Sequence, residues 1–316
     1  MKWASPFKLS EKGILGMNAR NFSYVLSKNK RELYPLVDDK METKRIALLE
    51  DLSVPDLICC LKYNHQMKEL HKILKTQKEF VVKPAKGCAG KGILVIVDRN
   101  EKGFVKASGS IVRYTEFDRH VASILTGMYS LGGVPDSAMF EKLVHFTDTF
   151  NGYTYQGVPD IRVIIYRGYP VMAMTRLSTK VSDGKANLHQ GAVGVGLDIV
   201  TGEAIQAVQF NKLVTKHPDT GQSFEGLAIP DWDTVLKLSA KSFDITELGY
   251  LGADIVLDRD RGPLILELNA RPGLSIQIAN GHGLGRRLRY IDSVNKKRRN
   301  IDEKLALVKE KFADFK

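Results

Sequence analysis

Three side chains with oxygen donors, Asp254, Glu267 and Asn269, fall on two neighbouring predicted strands in the last third of the sequence. Asp254 lies in ADIVL and the other two lie in LILELN, and the turn-forming DRDRG between them makes the strands antiparallel neighbours. Strict alternation along the second strand predicts one face with Leu264, Leu266 and Leu268 and an opposite face with Ile265, Glu267 and Asn269. Hard cations such as Mg²⁺ prefer such oxygen ligands, together with substrate phosphates. The pattern predicts a metal site; the alternative is a half-exposed hairpin whose polar face contacts water.

Arginines that suit phosphate chemistry accompany this group. Arg271 follows the second strand directly, in the segment ARPG. Arg162 and Arg176 lie on the two strands of another predicted hairpin, IRVIIY and PVMAMTR, with Asp160 beside the first arginine. Arginines buried in strands are costly unless they are paired. A structural ion pair with Asp160 is therefore the alternative to a role in chemistry.

A glycine-rich turn follows a lysine in the first third of the sequence. Lys83 ends the apolar strand FVVKP, and the turn GCAGKG covers 87–92 before the strand ILVIV begins. Glycines allow backbone N–H groups to approach phosphate oxygens closely, so the turn suits phosphate binding. The turn lacks the GxxxxGK[ST] pattern of a Walker loop, and a flexible surface hairpin is the alternative. Cys88 in this turn has no His/Asn partner arrangement that would make it a nucleophile.

The remaining segments predict a mixture of helices and antiparallel strands. Helices are expected in METKRIALLEDL, at 66–75, at 116–129 and, as a charged amphipathic helix, from Asn300 onwards. Strands joined by short turns dominate after Ala138. We therefore expect an α+β fold with mostly antiparallel sheets, in which a smaller lobe ends near residue 136 and a larger lobe follows.

The net charge of +11 lies at the two ends of the sequence. Residues 1–45 carry 10 basic and 5 acidic residues, 285–316 carry 11 and 5, and 46–284 carry 26 of each. A nucleic-acid-binding face would normally extend through the folded body, so this distribution does not favour nucleic acid as a partner. Solvated termini are the simplest interpretation, and binding of a polyanion through 296–299 is an alternative.

The composition is that of an ordinary soluble globular protein. The 316 residues are 43% apolar and 26% charged, and no window has the roughly 18 consecutive apolar residues that a membrane span needs. The first residues lack the apolar region of a signal peptide. The three cysteines have neither metal-ligand nor disulfide-framework spacing. We therefore expect a cytoplasmic protein.

Taken in order, five segments resemble the ATP-grasp superfamily, and specifically its RimK-type alpha-L-glutamate ligase-like proteins. The segments are VDDKMETKRIALLEDLSVP, FVVKPAKGCAGKGILVI, PDIRVIIYRGYPVMAMTR, ANLHQGA and GADIVLDRDRGPLILELNARPG. The resemblance implies an ATP-grasp fold of class α+β, with two lobes of mostly antiparallel sheets clasping ATP. The implied domains are a short N-terminal segment at 1–36, a small lobe at 37–136, a large lobe with the metal site at 137–285 and a basic C-terminal helix at 286–316.

The resemblance also implies roles for individual residues. The residues matched to ATP binding are Lys40, Lys83, Gly87, Gly90, Gly92, Glu141, Lys142, Leu143, Asp160 and Asn187. Among these, the two lysines hold phosphates, 141–143 is the strand whose backbone meets adenine, and Asp160 lies near the ribose. Arg176, Arg162 and Arg271 match the catalytic arginines, and Asp254, Glu267 and Asn269 match the ligands of two Mg²⁺ or Mn²⁺ ions, with Glu267 bridging them.

The resemblance implies an ATP- and Mg²⁺-dependent carboxylate–amine ligase that forms an amide bond through an acyl phosphate. Its substrates would be an amino acid, such as glutamate, and a peptide or small carboxylate. The basic termini are expected to meet an acidic acceptor or partner, and a homo-oligomer is expected. The alternative is an ATP-binding interaction module without ligase activity.

Overall fold

The computed structural model describes residues 5–87, 90–295, 297–313 and 315. Cys88 and Lys296, which the sequence analysis singled out, lie outside the described residues. Contacts divide the chain into two compact units. The smaller unit comprises Asp39–Arg45 and Val54–His145, and the larger comprises Met1–Asp38, Ile46–Ser53 and Phe146–Lys316.

Helices occur along the whole chain. In chain order they are α1 (Pro6–Glu11), α2 (Met17–Ala19), α3 (Pro35–Asp38), α4 (Lys40–Leu49), α5 (Met67–Leu74), α6 (Tyr114–Leu125), α7 (Trp232–Thr246), α8 (Ile276–Asn280), α9 (Gly285–Val294) and α10 (Ile301–Phe312). A π-helical segment covers Arg20–Leu26, and short 3-10 turns lie at Arg31–Leu33, Asn64–Gln66, Leu131–Gly133, Asp148–Phe150 and Leu188–Gln190. The helices predicted around 41–52, 66–75 and 116–129 correspond to α4, α5 and α6. Among the described residues, no helix combines the length and apolar character that crossing a bilayer requires.

The smaller unit contains a six-stranded antiparallel sheet with the order β1-β6-β2-β3-β4-β5. Its strands are β1 (Leu57–Leu61), β2 (Phe80–Pro84), β3 (Leu94–Asn100), β4 (Gly103–Lys106), β5 (Ile111–Val112) and β6 (Ala138–Glu141). The predicted pairing of FVVKP with ILVIV occurs as β2 with β3. Strand β6 pairs with both β1 and β2 and belongs to the smaller unit, whereas the expected boundary at 136/137 assigns it to the large lobe at 137–285.

Buried aromatic rings form the core of the smaller unit. Phe80 on β2 lies 5.2 Å from Phe104 and 5.8 Å from Phe117, measured between ring centroids. All three rings are essentially inaccessible to solvent. Aromatic side chains bury large apolar areas, so this cluster fixes α6 against one face of the sheet. The core thereby holds β2 and β6 in place, and Lys83 and Glu141 lie on the other face of these two strands.

The larger unit contains a seven-stranded antiparallel sheet with the order β11-β10-β9-β8-β7-β12-β13. Its strands are β7 (Asp160–Tyr166), β8 (Tyr169–Leu177), β9 (Val193–Leu197), β10 (Ala204–Gln209), β11 (Lys212–Val214), β12 (Tyr250–Asp258) and β13 (Gly262–Asn269). Both predicted hairpins are confirmed, as β7 with β8 and as β12 with β13. The turn of the first hairpin has positive φ at Arg167 and Gly168, as a two-residue turn between twisted strands requires. The expected α+β fold with antiparallel sheets is confirmed.

A β-bulge interrupts the alternation of β13. Asp254 pairs with Glu267, but the next residue, Ile255, pairs with Ile265, so Leu266 is an extra residue on this strand. The expectation that Ile265 and Glu267 share a face is therefore wrong. Ile265 is buried while Glu267 is half-buried. Because of the bulge, Glu267 points to the same side of the sheet as Asp254, and Ile265 points to the other side.

The predicted C-terminal helix is present as α10. Asn300 caps its first turn, since its side chain accepts a hydrogen bond from the Glu303 backbone N–H and the Glu303 carboxylate accepts one from the Asn300 N–H. Lys304 of this helix lies over the rings of Tyr169 and Phe243 at 5.6 and 5.1 Å. Helix α10 is thus fixed to β8 and α7 by packing.

Candidate active site

The arginines and acids predicted in the larger unit lie in adjacent rows of its sheet. Arg162 on β7 pairs in register with Asp254 on β12, and Asp160 on β7 pairs with Arg176 on β8. Residues 160 and 162 are two apart on one strand, so their side chains share a face. Asp254 also pairs with Glu267 on β13. Four adjacent strands therefore bring these charged side chains onto one face of the sheet.

Hydrogen bonds connect the arginines to two acids at once. Arg162 donates to Oδ1 and Oδ2 of Asp254 at 2.7 and 2.5 Å. Arg176 donates through Nε to Asp160 at 2.6 Å and through Nη2 to both Asp160 and Asp254, the latter at 2.8 Å. Fork-shaped guanidinium groups suit this two-carboxylate arrangement. The structural ion pair with Asp160, which is one of the two alternatives that the sequence leaves open, is therefore present, and Asp160 holds Arg176 in place.

The pKa values of Asp160 and Asp254 are shifted in opposite directions. Burial raises the pKa of Asp160 despite the nearby Arg176, and the negative charge of Asp254 adds to the increase. Burial also disfavours the charged form of Asp254, but the charges of Arg162 and Arg176 outweigh it and hold the pKa of Asp254 below its ordinary value. Asp254 is therefore the more firmly ionised acid of the two, which is the state that a cation ligand requires.

The expected metal ligands, Asp254, Glu267 and Asn269, lie close together on β12 and β13. Asp254 and Glu267 face each other across β12 and β13, and the Asn269 amide donates to Asp254 Oδ2 at 3.3 Å. Across the described parts of the chain, no group of three or more histidine, cysteine or acidic side chains could hold a metal. Mg²⁺ commonly takes only one or two carboxylates and completes its shell with water and phosphate oxygens. The two carboxylates and one amide therefore fit Mg²⁺ bound together with a phosphate, rather than a closed protein cage.

Two other residues predicted for this site have different surroundings. The Arg271 guanidinium lies 5.0 Å from the centroid of the Tyr34 ring. The Asn187 side chain accepts a hydrogen bond from the His189 N–H and caps the 3-10 turn Leu188–Gln190. Asn187 therefore shapes the loop before β9, and Arg271 lies against an aromatic ring just beyond β13.

The smaller unit holds a second, compact polar cluster on one face of the paired strands β2 and β6. Glu141 Oε2 lies 2.6 Å from Lys83 Nζ, and Oε1 lies 2.8 Å from Lys44 Nζ. Lys44 also donates to the backbone oxygen of Pro55. All three side chains are less than 10% exposed. Burial opposes ionisation of Glu141, but Lys83 and Lys44 outweigh it and hold its pKa below the ordinary value, while burial lowers the pKa of Lys44.

Lys44 was not identified from the sequence. It lies one helical turn after Lys40 on α4, and that spacing is the only signal that could have indicated it. Lys40 itself donates from Nζ to the backbone oxygen of Gly87, at 2.7 Å, where the glycine-rich turn begins. The two lysines of α4 therefore contact different groups: Lys44 contacts Glu141, and Lys40 contacts the start of the glycine-rich turn.

Two glycines of the turn adopt conformations that favour glycine. Gly90 and Gly92 have φ of +72° and +76°. A Cβ atom on Gly92 would lie 2.6 Å from the Tyr129 ring, and one on Gly87 would lie 2.3 Å from Pro84. His120 lies with Nε2 2.9 Å from the Gly92 oxygen. The described ends of the turn are therefore held closely by neighbouring groups.

The segment after β6 lies along β1. Lys142 donates from its backbone N–H to the Asp56 oxygen at 2.9 Å, and its Nζ lies 3.1 Å from the Asp56 carboxylate. Leu143 follows outside the strand and is half-buried.

In the basic tail, Arg299 donates to the Val294 oxygen at 2.8 Å and to the Tyr169 hydroxyl at 3.3 Å. Arg299 thus has contacts within the fold, unlike a freely solvated charge.

The smaller unit has an antiparallel sheet with the buried Lys83 near a glycine-rich turn, and the larger unit has an antiparallel sheet with paired arginines and acids. These are features of an ATP-grasp protein. The chain belongs to the sugar-transfer associated ATP-grasp family, whose family model matches residues 19–293. The ATP-grasp fold expected from the sequence is therefore confirmed. No curated protein matches the chain in sequence.

Solved structures of similar fold include several ligases. D-alanyl-alanine synthetase A from Vibrio cholerae O1 biovar eltor has a TM-score of 0.50 and 11% identity, over 87% of this chain and 67% of that one. D-cycloserine synthetase DcsG has a TM-score of 0.48 and 14% identity, over 92% and 80%. The ATP-grasp ligase PsnB, complexed with a minimal precursor, has a TM-score of 0.47 and 14% identity, over 85% and 63%. The chain thus spans less than two thirds of the PsnB chain, and at these identities the likeness concerns the fold alone.

Proposed function

We propose that the chain is an ATP- and Mg²⁺-dependent carboxylate–amine ligase. The observation that carries the proposal is the arrangement of Arg162 and Arg176 on Asp254, with Glu267 and Asn269 beside that carboxylate. Positive charge held rigidly beside oxygen ligands is what phosphoryl transfer needs, since the protein contributes positioning and electrostatic stabilisation rather than covalent chemistry.

The proposed reaction has two steps. A substrate carboxylate oxygen attacks the γ-phosphorus of ATP, which forms an acyl phosphate and releases ADP. An amine then attacks the acyl carbon, loses a proton and expels phosphate, which leaves an amide. Bound Mg²⁺ would neutralise phosphate charge in the first step. Asp254, Glu267 and Asn269 are the proposed ligands, of two ions if Glu267 bridges them, and Mn²⁺ suits the same donors.

Each unit contributes groups with distinct proposed tasks. In the larger unit, Arg176 stabilises the transferring phosphoryl group while Asp160 keeps its guanidinium oriented. In the smaller unit, Lys83 and Lys40 bind phosphate oxygens of ATP, and the glycine-rich turn supplies backbone N–H groups to them. The backbone at 141–143 is proposed to meet adenine. An acyl phosphate is readily hydrolysed, so a glycine-rich turn that excludes water would protect it.

The substrates are proposed from chemical class. The resemblance of the sequence to RimK-type ligases supports an amino acid, such as glutamate, as one partner in the amide bond, and a peptide or small carboxylate as the other. The surplus of basic residues in 1–45 and 285–316 suits an acidic acceptor. A homo-oligomer is part of the same proposal.

Release of ADP in the presence of candidate substrates tests the proposal. Purified protein with ATP and Mg²⁺ is expected to release ADP only when both a carboxylate and an amine substrate are supplied from a panel of amino acids, peptides and sugar acids. Glu267→Gln should reduce this release at least about 100-fold if the carboxylate holds Mg²⁺. Asp260→Asn, in the exposed turn of the same hairpin, is the matched control and should leave it unchanged. Tight ATP binding with no release across the panel would indicate a nucleotide-binding module instead.

A further inference from the structure

The larger unit contains a cleft that none of the proposed ATP, metal or phosphate ligands lines. Its volume is about 240 Å³, and its lining residues are Leu188, His189, Val208, Phe210, Asn211 and Ser275. These described lining residues combine apolar groups with hydrogen-bonding groups and include no acid, lysine or arginine. A cleft of this composition suits a neutral ligand that has both apolar and hydroxyl-bearing parts.

One wall of the cleft is a hairpin turn. Phe210 and Asn211 are the two residues between the paired ends of β10 and β11, and they have φ of +49° and +62°, as a two-residue hairpin turn requires. Asparagine is common in such a turn, whereas a bulky aromatic residue is uncommon there. The Phe210 ring is 55% exposed, so this turn presents an aromatic surface to solvent at the cleft.

Contacts around Gly191 fix this aromatic ring. A Cβ atom on Gly191 would lie 2.8 Å from Phe210 Cζ and 2.9 Å from Val181 Cγ1, so the ring edge lies directly against the glycine backbone. Gln209 and Thr179 both donate to the Gly191 oxygen, at 2.8 and 2.9 Å. The turn that carries Phe210 is thus tied to the loop that carries Leu188 and His189. The ring is presented in a defined position before any ligand arrives.

The cleft adjoins the arginine row of the candidate active site. Leu188 packs on Gly194, where a Cβ atom would lie 2.7 Å from Leu188 Cδ2. Gly194 on β9 pairs in register with Arg176 on β8. A ligand in contact with Leu188 would therefore lie next to the strand position that pairs with Arg176. This neighbourhood suits the part of a substrate that does not react but positions the part that does.

We propose that this cleft binds the pyranose ring of a sugar-bearing substrate. A pyranose has C–H groups on its faces and hydroxyl groups around its rim. Its face matches the exposed Phe210 ring, and its hydroxyls match the Asn211 amide, the His189 imidazole and the Ser275 hydroxyl. The family description of sugar-transfer association agrees with this ligand class. The inference rests on the proposed ligase function, because it assigns the cleft to a substrate of that reaction.

Saturation-transfer NMR with methyl β-D-glucopyranoside as the probe tests the cleft directly. The wild-type protein should transfer saturation to the ring protons, Phe210→Ala should reduce the transfer at least about fivefold, and Phe210→Tyr should retain it. Leu213→Ala removes an exposed side chain from neighbouring β11 that does not line the cleft, and it should behave as wild type. Equal transfer in Phe210→Ala and wild type, or no transfer in wild type, would overturn the proposal.

Phe210→Gly separates ligand binding from folding. Glycine tolerates the positive φ, so the melting temperature should stay equal or rise while saturation transfer is lost. Loss of transfer together with a lower melting temperature in both Phe210→Gly and Phe210→Ala would mean that the ring is structural, and would overturn the proposal.

Release of ADP distinguishes the two possible sugar substrates and separates this inference from the proposed function. D-glucosamine would act as the amine and D-glucuronic acid as the carboxylate, each with a panel of complementary partners. Release with either sugar supports the cleft assignment, provided that Phe210→Ala raises its KM and leaves the KM for ATP unchanged. Saturation transfer without ADP release on any substrate would contradict the ligase function but support the cleft. ADP release only with sugar-free substrates, and no saturation transfer, would contradict the cleft but support the ligase.

Discussion

Arg162 and Asp254 lie opposite each other on β7 and β12, and the guanidinium donates to both carboxylate oxygens at 2.7 and 2.5 Å. The same carboxylate accepts a hydrogen bond from Arg176. Asp254 therefore compensates the charge of Arg162 and shares that of Arg176 with Asp160. A dication that binds Asp254 must share this carboxylate with the arginines, which couples metal binding to the position of both guanidinium groups.

Asp254→Asn should remove the response of the protein to Mg²⁺ and reduce its stability. Breaking a buried ion pair costs about 3–5 kcal/mol, because the partner charges remain buried. Thermal unfolding with and without Mg²⁺ and ATP measures both effects. The wild type should be stabilised by the ligands and the variant should not be. Asp260→Asn is the control, and an unchanged ligand response in Asp254→Asn would exclude this residue as a ligand.

Glu141→Gln should destabilise the protein strongly. The substitution leaves Lys44 and Lys83 buried without their carboxylate, at an expected cost of about 3 kcal/mol or more. Glu79→Gln is the matched control in the same unit, since Glu79 pairs with His145 near the surface, where ion pairs contribute roughly 0–1 kcal/mol. Urea unfolding followed by circular dichroism gives both values. Equal losses for the two variants would show that the buried cluster does not stabilise the fold.

The contribution of Glu141 to the free energy of unfolding should depend on pH in the acid range. Its pKa in the folded protein is lower than the ordinary value of 4.5, because Lys83 and Lys44 outweigh the effect of burial. The carboxylate therefore contributes stability above pH 4.5, and this contribution is lost as the pH falls through the folded-state pKa. The difference in unfolding free energy between wild type and Glu141→Gln should be constant from pH 7 to 5 and shrink below pH 4.5. A difference that grows on acidification would contradict this assignment.

Gly92→Ala should weaken ATP binding more than Gly109→Ala. Both glycines have positive φ, of +76° and +80°, so each substitution introduces similar backbone strain of about 1–2 kcal/mol. Only the Cβ at 92 would meet a neighbour, the Tyr129 ring, whereas the space at 109 is open. Calorimetry with a non-hydrolysable ATP analogue should give an affinity about tenfold lower for Gly92→Ala and nearly unchanged for Gly109→Ala.

A second substitution tests the cause of the Gly92→Ala effect. Removing the Tyr129 ring in Gly92→Ala/Tyr129→Ala should restore part of the affinity, because the two side chains would no longer overlap. Full affinity in the single variant Gly92→Ala would mean that this turn does not contact the nucleotide.

The sequence predicts local pairing well. The hairpins β7–β8 and β12–β13 follow from apolar strands separated by turn residues, so Asp160, Arg162, Arg176 and Asp254 could be assigned to strands in advance. The partner of each charge is set by the order of strands in the sheet. Arg176 reaches both Asp160 and Asp254 because β7 lies between β8 and β12. This order of strands cannot be predicted from the spacing of the residues along the chain.

The cluster around Glu141 could not be predicted in the same way. Lys44 and Glu141 lie far apart in the sequence, and they meet because β6 pairs with β2 and the N-terminal part of α4 packs nearby. A lysine on a helix is usually solvated, so residue type gives no indication of burial. The cleft beside Phe210 is equally hidden, since aromatic residues are uncommon at positive φ and the sequence does not indicate a turn there.

The bulge at Leu266 separates the length of β13 from the face on which Glu267 lies. Deleting that one residue would make Ile265 and Glu267 consecutive, and regular alternation would then place them on opposite faces, which is where the bulge places them now. Homologous sequences can therefore lose one residue between Gly262 and Glu267 and still keep Glu267 opposite Asp254, because the bulge is lost together with the residue. In an alignment of relatives, a one-residue gap in this segment should mark a change from a bulged to a regular strand and leave the pairing of Glu267 with Asp254 intact.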